Sequence, residues 1–207
     1  MAMTSIERYL APRSIEEAAE GLRGGGGTIF AGGTDLMPQS KSGKATFGAT
    51  LMNIRRIEGM RGVATTARGL RIGALTTITD LLDDDVVRTR LPALRQAADH
   101  FASNQIRNAA TIGGNICNAS PAGDTLVPLM VYDARVVLAS KPNGALTTRA
   151  VPLAEFLLGP GRTSRAPDEL LVAIEIDAPP ANFISSFFKF GTRPALDIST
   201  ISIGLGA

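Results

Sequence analysis

The 207-residue chain has very few cysteine, histidine and aromatic side chains. It contains one cysteine, Cys117, one histidine, His100, and no tryptophan, and aromatic residues make up 5% of it. A structural zinc site or a protein-held iron–sulfur cluster takes about four cysteine or histidine ligands. This chain cannot supply such a site alone, and a single cysteine excludes an internal disulfide and is typical of a reducing compartment.

The sequence also lacks the signals of a membrane, secreted or nucleic-acid-binding protein. It has no run of about 18 apolar residues, and the amino-terminal "MAMTSIERYLAPRS" does not have the basic and then apolar pattern of a signal peptide. The net charge is +2, and lysine and arginine are spread along the chain without a cluster. These features predict a cytoplasmic protein with no membrane span and no nucleic-acid partner.

Apolar periodicity predicts an α/β or α+β fold. Ser14 and Glu17 form a capping-box pattern before a helix that ends at the glycines 24–27. Strands are expected in "TIFA", "GLRIGAL", "VYDARVVLAS", "ELLVAIEID" and "FISSFFKFGT", a short helix in "VPLAEFLL", and two helices broken near Pro92 in "TDLLDDDVVRTRLPALRQAADHFAS". Strands and helices alternate early, and strands dominate later.

The glycine-rich stretches do not match the common nucleotide-binding templates. Ile29 and Phe30 stand where a Rossmann fingerprint starting at Gly24 or Gly25 needs its third glycine. "SGKA" ends in Ala45 where a Walker A loop needs Ser or Thr. Both the Rossmann fingerprint and the P-loop are excluded.

Two shorter motifs remain, "AGGTDL" at 31–36 and "TIGGN" at 111–115, and each is interpreted as a Gly-Gly turn. Adjacent glycines can take positive φ, direct successive N–H groups to one point and let a ligand such as a diphosphate approach the backbone. Thr34, Thr111 and Asn115 could add neutral donors. Taken alone, each motif is as consistent with an ordinary turn as with a binding loop.

The two motifs, the second within "ATIGGNICNASPAGD", resemble the paired flavin-binding loops of the FAD subunits of molybdenum hydroxylases. This family includes the medium subunits of carbon monoxide dehydrogenases and the FAD domains of xanthine dehydrogenases. The segments "RYLAPRSIEEA", "LRIGALTT", "FLLGPGRTS", "ELLVAIEI" and "FFKFGTRPALDIS" are also similar to the family's framework, in the same order. The resemblance extends over residues 7–207.

The resemblance implies an α/β, two-lobed FAD-binding domain of the vanillyl-alcohol-oxidase-like (PCMH) type. Residues 1–60 would form the first lobe, 61–180 the second, and 181–207 the opening strands of a C-terminal domain. The closing apolar strand in "DISTISIGLGA" has no partner after it, so the chain is expected to be a fragment or to be completed by another chain.

The resemblance also implies which residues contact FAD, which would lie extended with its diphosphate between the lobes. These residues are Ala31, Gly32, Gly33, Thr34, Asp35 and Leu36 of the first motif, Thr111, Ile112, Gly113, Gly114 and Asn115 of the second, and Phe101, Asp124, Leu171 and Lys189.

Simpler structural roles are open for several of these residues. Asp124 could bind sugar or ribityl hydroxyls, or could only cap a turn in "PAGDTL". Lys189 could stand beside the flavin ring, or could be an edge-strand lysine. Phe101 and Leu171 would equally suit a core. Cys117 is interpreted as a small apolar filler.

No Ser-His-Asp, Cys-His or activated-lysine arrangement is visible, as expected where a bound flavin carries the chemistry. In the family, a large molybdopterin subunit oxidises the substrate, and a small [2Fe-2S] subunit relays electrons to FAD. FAD then passes them to NAD+, oxygen or a quinone. Two alternatives stay open: a self-contained flavin oxidase of related fold, and a truncated, non-catalytic nucleotide-binding remnant.

Overall fold

The computed structural model describes residues 6–193 and 197–207. Residues 1–5 of the amino-terminal stretch and 194–196 of "FFKFGTRPALDIS", which the sequence interpretation used, lie outside the described residues. The strands are β1 (Arg8–Leu10), β2 (Gly27–Phe30), β3 (Thr50–Asn53), β4 (Val63–Thr65), β5 (Gly69–Gly73), β6 (Arg135–Ser140), β7 (Thr147–Pro152), β8 (Leu157–Gly159), β9 (Arg162–Thr163), β10 (Leu170–Asp177), β11 (Ser185–Phe190) and β12 (Ile201–Gly206). The helices are α1 (Ile15–Leu22), α2 (Leu36–Lys41), α3 (Ile78–Asp83), α4 (Asp85–Arg90), α5 (Pro92–Asp99), α6 (Asn104–Arg107), α7 (Ile112–Asn118), α8 (Leu126–Val131) and α9 (Leu153–Phe156).

The strands form two main sheets with different topologies. A parallel sheet has the order β1-β3-β2, and an antiparallel sheet has the order β4-β5-β10-β6-β7. Parallel strands need crossover connections: α1 connects β1 to β2, and α2 lies in the connection from β2 to its neighbour β3. The mixture of helices and strands predicted from periodicity is confirmed.

Helix α1 shows how a short sequence signal sets a boundary. The Ser14 hydroxyl accepts a hydrogen bond from the Glu17 N–H at 3.1 Å, and the Glu17 carboxylate accepts one from the Arg13 N–H at 2.8 Å. Both are capping interactions at the helix start, although the Glu17 carboxylate bonds Arg13 instead of Ser14. The helix ends before Gly24, Gly25 and Gly26, all at positive φ.

The segment around Pro92 contains one more helix than the sequence predicted. Three helices, α3, α4 and α5, replace the expected two. The Asp84 carboxylate accepts hydrogen bonds from the N–H groups of Val86 and Val87 and so caps the start of α4. Asp84 is also the residue at which α3 ends. Pro92 stands at the first position of α5, as predicted for a proline break.

"VYDARVVLAS" is only partly a strand. Val131 closes α8, and Asp133 takes a left-handed conformation with φ 48°. Strand β6 therefore begins only at Arg135.

One continuous cluster of buried apolar side chains supports both sheets. It includes Leu22 of α1, Met52 of β3, Ile72 of β5 and Ile174 of β10. Helix α1 packs against β6 and β10 of the antiparallel sheet. The apolar face of α1 therefore joins the parallel sheet to the antiparallel one.

Strands β11 and β12 form a hairpin beside the helices. The closing strand β12 does have a partner, β11, which precedes it. One face of the hairpin packs on α5 and α8. The other face presents apolar side chains to solvent, with Phe188 66% and Leu205 65% exposed.

Candidate functional site

A cleft of about 720 Å³ lies where the parallel sheet meets the antiparallel one. Its lining comes from the residues after β2, from α7 and the turn that follows it, and from β10. Both glycine motifs of the sequence open into this cleft.

The first motif is a turn with unused backbone donors. Gly33 has φ +71°, a left-handed conformation, and a Cβ there would lie 2.5 Å from the Phe30 ring. Within the part of the chain that the structure describes, the N–H groups of Gly32 through Asp35 donate no hydrogen bond. Four consecutive free donors beside a cleft are suited to binding an anion.

The second motif is the first turn of α7, so its interpretation as a Gly-Gly turn is wrong. Thr111 is the N-cap, and its hydroxyl accepts a hydrogen bond from the Gly114 N–H at 3.1 Å. The N–H groups of Ile112, Gly113 and Asn115 donate to carbonyl oxygens of Thr76, Ala74 and Thr111, respectively. Neither glycine has a positive φ. The predicted N–H cradle is therefore absent from this motif.

The two glycines of the second motif have different packing. A Cβ on Gly113 would lie 2.7 Å from Ala74 Cβ and 2.8 Å from Ala74 O, so this glycine lets α7 approach the end of β5. A Cβ on Gly114 would meet only the Thr111 hydroxyl, at 3.0 Å. Gly114 is exposed in the cleft and leaves room for a ligand.

Direct contacts hold the two motifs together. A Cβ on Gly32 would lie 2.1 Å from the carbonyl oxygen of Ala109, which precedes the second motif. The Gln39 amide of α2 donates to the Asp35 carboxylate and, at 3.1 Å, to the Asn118 side chain of α7. The spacing across this part of the cleft is therefore set by backbone contact.

Asp124 is a buried carboxylate at the cleft, paired with Lys189. Lys189 Nζ donates to Asp124 Oδ2 at 2.8 Å and to the His100 carbonyl at 3.2 Å, and the two side chains are only 7% and 9% exposed. Burial raises the pKa of the Asp124 carboxyl above its ordinary value, and the Lys189 hydrogen bond opposes that rise. The other oxygen, Oδ1, is buried and has no hydrogen-bond partner within the described residues.

The orientation of the Asn115 amide is set by a neighbour. The Thr125 hydroxyl donates to Asn115 Oδ1 at 2.6 Å. Asn115 lines the cleft, and its Nδ2 group donates no hydrogen bond within the described chain. An amide donor and an unpartnered carboxylate oxygen are thus available in the same cleft.

Most of the residues predicted to contact FAD line this cleft. They are Ala31, Gly32, Gly33, Thr34, Asp35, Leu36, Phe101, Thr111, Gly113, Gly114, Asn115, Asp124 and Leu171.

Two predicted residues, Ile112 and Lys189, do not line it. The Ile112 side chain is fully buried in the core, because α7 directs it away from the cleft. Lys189 lies behind Asp124 and lines a neighbouring cavity of about 500 Å³.

Sequence reasoning missed several polar residues that line the cleft, among them Gln39, Asn118 and Arg165. Gln39 stands one helical turn after Asp35, so helix spacing could have indicated their contact. Nothing in the sequence pattern indicated Arg165. Cys117, interpreted as a filler, is partly buried at the cleft, and this burial raises the pKa of its thiol to about 11.

The described residues contain no group of three or more His, Cys, Asp or Glu side chains placed to hold a metal ion. No helix among them is long and apolar enough to cross a bilayer.

A large cleft lined by free backbone donors and a buried carboxylate is suited to a nucleotide cofactor. Residues 3–179 match the family described as the FAD binding domain in molybdopterin dehydrogenase. The chain belongs to this family, and its cofactor is FAD.

Known relatives agree with this assignment. The chain is 40% identical over 175 residues to a xanthine dehydrogenase FAD-binding subunit of Escherichia coli O157:H7. The matched region covers 84% of the chain and 58% of that subunit. It is 33% identical over 204 residues to a nicotinate dehydrogenase FAD-subunit of Eubacterium barkeri, covering 95% of the chain and 67% of the relative. The chain thus spans about 58% of the length of the xanthine dehydrogenase subunit that it matches.

The fold agrees as well. Carbon monoxide dehydrogenase from Hydrogenophaga pseudoflava superimposes with a TM-score of 0.88 at 31% identity, over 100% of this chain and 70% of that one. The predicted fold class, a FAD-binding domain of this type, is confirmed. The division into lobes at residue 60 and the boundary at 180 stay predictions.

The residues present in the cleft fit FAD. The free N–H groups of 32–35 suit a diphosphate, and the surface at Gly114 has no side chain to obstruct it. The unpartnered Asp124 Oδ1 can accept a hydrogen bond from a hydroxyl group.

Proposed function

We propose that this chain is the FAD-binding part of an electron-transfer subunit in a molybdenum hydroxylase complex. In this proposal a large molybdopterin subunit oxidises the substrate and a small [2Fe-2S] subunit relays the electrons. The bound FAD accepts them and passes them in pairs to NAD+, oxygen or a quinone. One observation carries the proposal: two distant glycine motifs line a single cleft beside a buried carboxylate that has an unpartnered oxygen.

The first motif would hold the diphosphate. The N–H groups of Gly32 to Asp35 are free, and none has to give up another hydrogen bond in order to bind an anion. The second motif would contribute differently, because its N–H groups are already used. It provides an open surface at Gly114 and the side-chain amide of Asn115.

Asp124 would bind a hydroxyl of the sugar or ribityl chain. A buried carboxylate oxygen without a partner is costly, and a donor from the cofactor would remove that cost. Lys189 positions the carboxylate through its 2.8 Å hydrogen bond to the other oxygen. The ion pair keeps Asp124 able to accept hydrogen bonds despite its burial.

Phe101 and Leu171 would pack against the flavin or adenine rings. Phe101 is partly buried at the edge of the core, and Leu171 is 4% exposed on β10 at the cleft. Apolar side chains exclude water from a bound aromatic ring, and the Phe101 ring can also stack on it.

The test is to purify the chain with FAD and mix it in a stopped-flow instrument with the pre-reduced iron–sulfur subunit of its complex. We expect the visible flavin bands to bleach. An oxidised flavin after mixing would contradict the electron-transfer role. Bleaching by a small organic substrate without any partner would indicate a self-contained oxidase instead.

A substitution in the second motif tests whether FAD binds in this cleft. Gly114→Val places a branched side chain on the open surface, so FAD binding should be lost while the far-ultraviolet circular dichroism stays unchanged. A variant that keeps near-normal FAD affinity would contradict the seating of FAD in this cleft. A wild-type chain that binds no FAD would leave only the remnant alternative.

A further inference from the structure

We propose that Arg165 binds the diphosphate of FAD, together with the free N–H groups of the first motif. This inference rests on the proposed seating of FAD in the cleft. It adds one charged contact from a segment far from both glycine motifs in the sequence.

The Arg165 guanidinium is held at the cleft by backbone oxygens. Its Nη1 donates to the carbonyls of Ala166 at 3.0 Å and Glu169 at 2.7 Å, and the residue lines the cleft. Its Nε and Nη2 groups donate no hydrogen bond within the described part of the chain. A planar guanidinium anchored at one nitrogen has its remaining donors available for a ligand.

No carboxylate of the described residues forms an ion pair with Arg165. The carboxylate of Glu169, whose carbonyl Arg165 binds, is engaged by Arg149 at 2.5 and 2.8 Å and by the Ala166 N–H at 2.7 Å. Among the cleft residues that the structure describes, Arg165 is the one lysine or arginine.

The acids that line the cleft have other partners. Asp35 accepts from Gln39, Asp124 from Lys189, and Asp197 from Thr192 at 3.0 Å. None of these acids forms an ion pair with Arg165 within the described residues.

Arg165 lines the same cleft as both glycine motifs. The charge of Arg165 also lowers the pKa of Cys117 in α7, the helix that begins with the second motif, although burial has the larger, opposite effect.

The diphosphate is the anionic part of FAD, and guanidinium groups bind phosphate oxygens through paired, charge-assisted hydrogen bonds. The flavin, ribityl and adenosine parts carry no negative charge that would select an arginine. A contact at Arg165 should therefore affect FAD and leave riboflavin unaffected.

The experiment compares FAD and riboflavin binding to the apoprotein of the full chain by flavin fluorescence. Arg165→Leu should weaken FAD binding by about 10- to 100-fold and leave riboflavin binding unchanged. The salt dependence of FAD affinity should also decrease. Arg90→Leu, the same exchange at an exposed position on α4, serves as the matched control and should bind FAD normally.

Two further measurements keep the test valid if the leucine variant is unstable. Arg165→Lys keeps the charge and should retain part of the affinity. ADP, which has the diphosphate and no flavin, should compete with FAD in the wild type, and the Kd values of ADP and FAD should rise by similar factors in Arg165→Lys.

Unchanged FAD affinity in Arg165→Leu would overturn the inference and leave the proposed function intact. An equal loss of FAD and riboflavin affinity would also overturn it, because the effect would then not come from the diphosphate. A wild-type chain that binds no FAD would overturn both the inference and the proposed function.

Discussion

The two glycine motifs look alike in the sequence and differ in the structure. "AGGTDL" is a turn with a left-handed Gly33 and four free N–H groups. "TIGGN" begins a helix, has no positive φ, and uses the N–H groups of residues 112–115 for its own hydrogen bonds. A Gly-Gly pair can therefore provide either backbone donors or space, and only the surrounding structure decides which.

The glycines differ because their neighbours differ. Gly32 and Gly113 let backbones approach each other, Gly33 allows a turn, and Gly114 leaves a surface open. Substitutions at these positions separate the roles, and the largest effect is expected where a side chain would meet backbone.

Gly32→Val should have the largest effect. Its Cβ would lie 2.1 Å from the Ala109 carbonyl oxygen and 2.8 Å from its carbon, so the two motifs would have to separate. We expect the free energy of unfolding to fall by about 3 kcal/mol or more, with loss of FAD binding. Urea unfolding measures the change, and a stability equal to the wild type would contradict the close contact.

Gly113→Ala and Gly114→Ala form a matched pair within the second motif. Gly113→Ala would press on Ala74 and should lower the free energy of unfolding by about 1–3 kcal/mol. Gly114→Ala meets only a hydroxyl, and alanine favours a helix by about 1 kcal/mol over glycine, so stability should be unchanged or higher.

The effects of these two substitutions should have the opposite order for FAD binding. Gly114→Ala should weaken FAD binding although it does not lower the stability, because its methyl group enters the cleft. Fluorescence titration with FAD alongside urea unfolding checks both quantities. Equal effects of the two alanines on stability would contradict the distinction between packing and access.

The buried pair of Asp124 and Lys189 predicts a pH dependence of the apoprotein. Because burial raises the pKa of Asp124 in the folded state, the folded chain binds more protons than the unfolded one above the ordinary carboxyl pKa. The free energy of unfolding should therefore decrease as pH rises from about 4 through the raised pKa.

A double variant provides the control for this pH dependence. Asp124→Asn with Lys189→Met removes both charges and should lack that decrease, whereas Lys189→Met alone should extend it to higher pH. Identical pH profiles for the double variant and the wild type, measured by urea unfolding, would exclude Asp124 as the source.

The smallest effect is expected at Cys117 of α7, two residues after the second motif. Its pKa of about 11 means that roughly one molecule in a thousand carries a thiolate at pH 8. A thiol reagent such as DTNB should react slowly with the folded chain and rapidly after unfolding in urea. Rapid reaction in the folded state would contradict the raised pKa of this thiol.

Local signals in the sequence predicted many elements correctly. The helix capped by Ser14, the break at Pro92 and the strand in "ELLVAIEID" all occur, because capping, proline geometry and apolar runs act within a few residues. The extra helix boundary at Asp84 was missed because three consecutive aspartates do not reveal which one caps.

The site was predicted in part. Resemblance to a known family indicated the residues of both motifs, and most of them line one cleft. The conformation of "TIGGN" could not be predicted, because it depends on Ala74 and Thr76, whose carbonyls accept its N–H groups across a long sequence separation. Arg165 was missed for a similar reason, since only tertiary contacts bring it to the cleft.

The contact between Gly32 and Ala109 has a consequence for altering the cofactor. Main-chain atoms set the closest approach of the two motifs, and the Gln39 side chain adds hydrogen bonds across the same gap. Substitutions elsewhere in the cleft can change the charge or shape offered to a ligand without changing this separation. An effort to give the domain a different nucleotide should therefore vary positions such as Arg165 and Leu171 and leave both glycine motifs as they are.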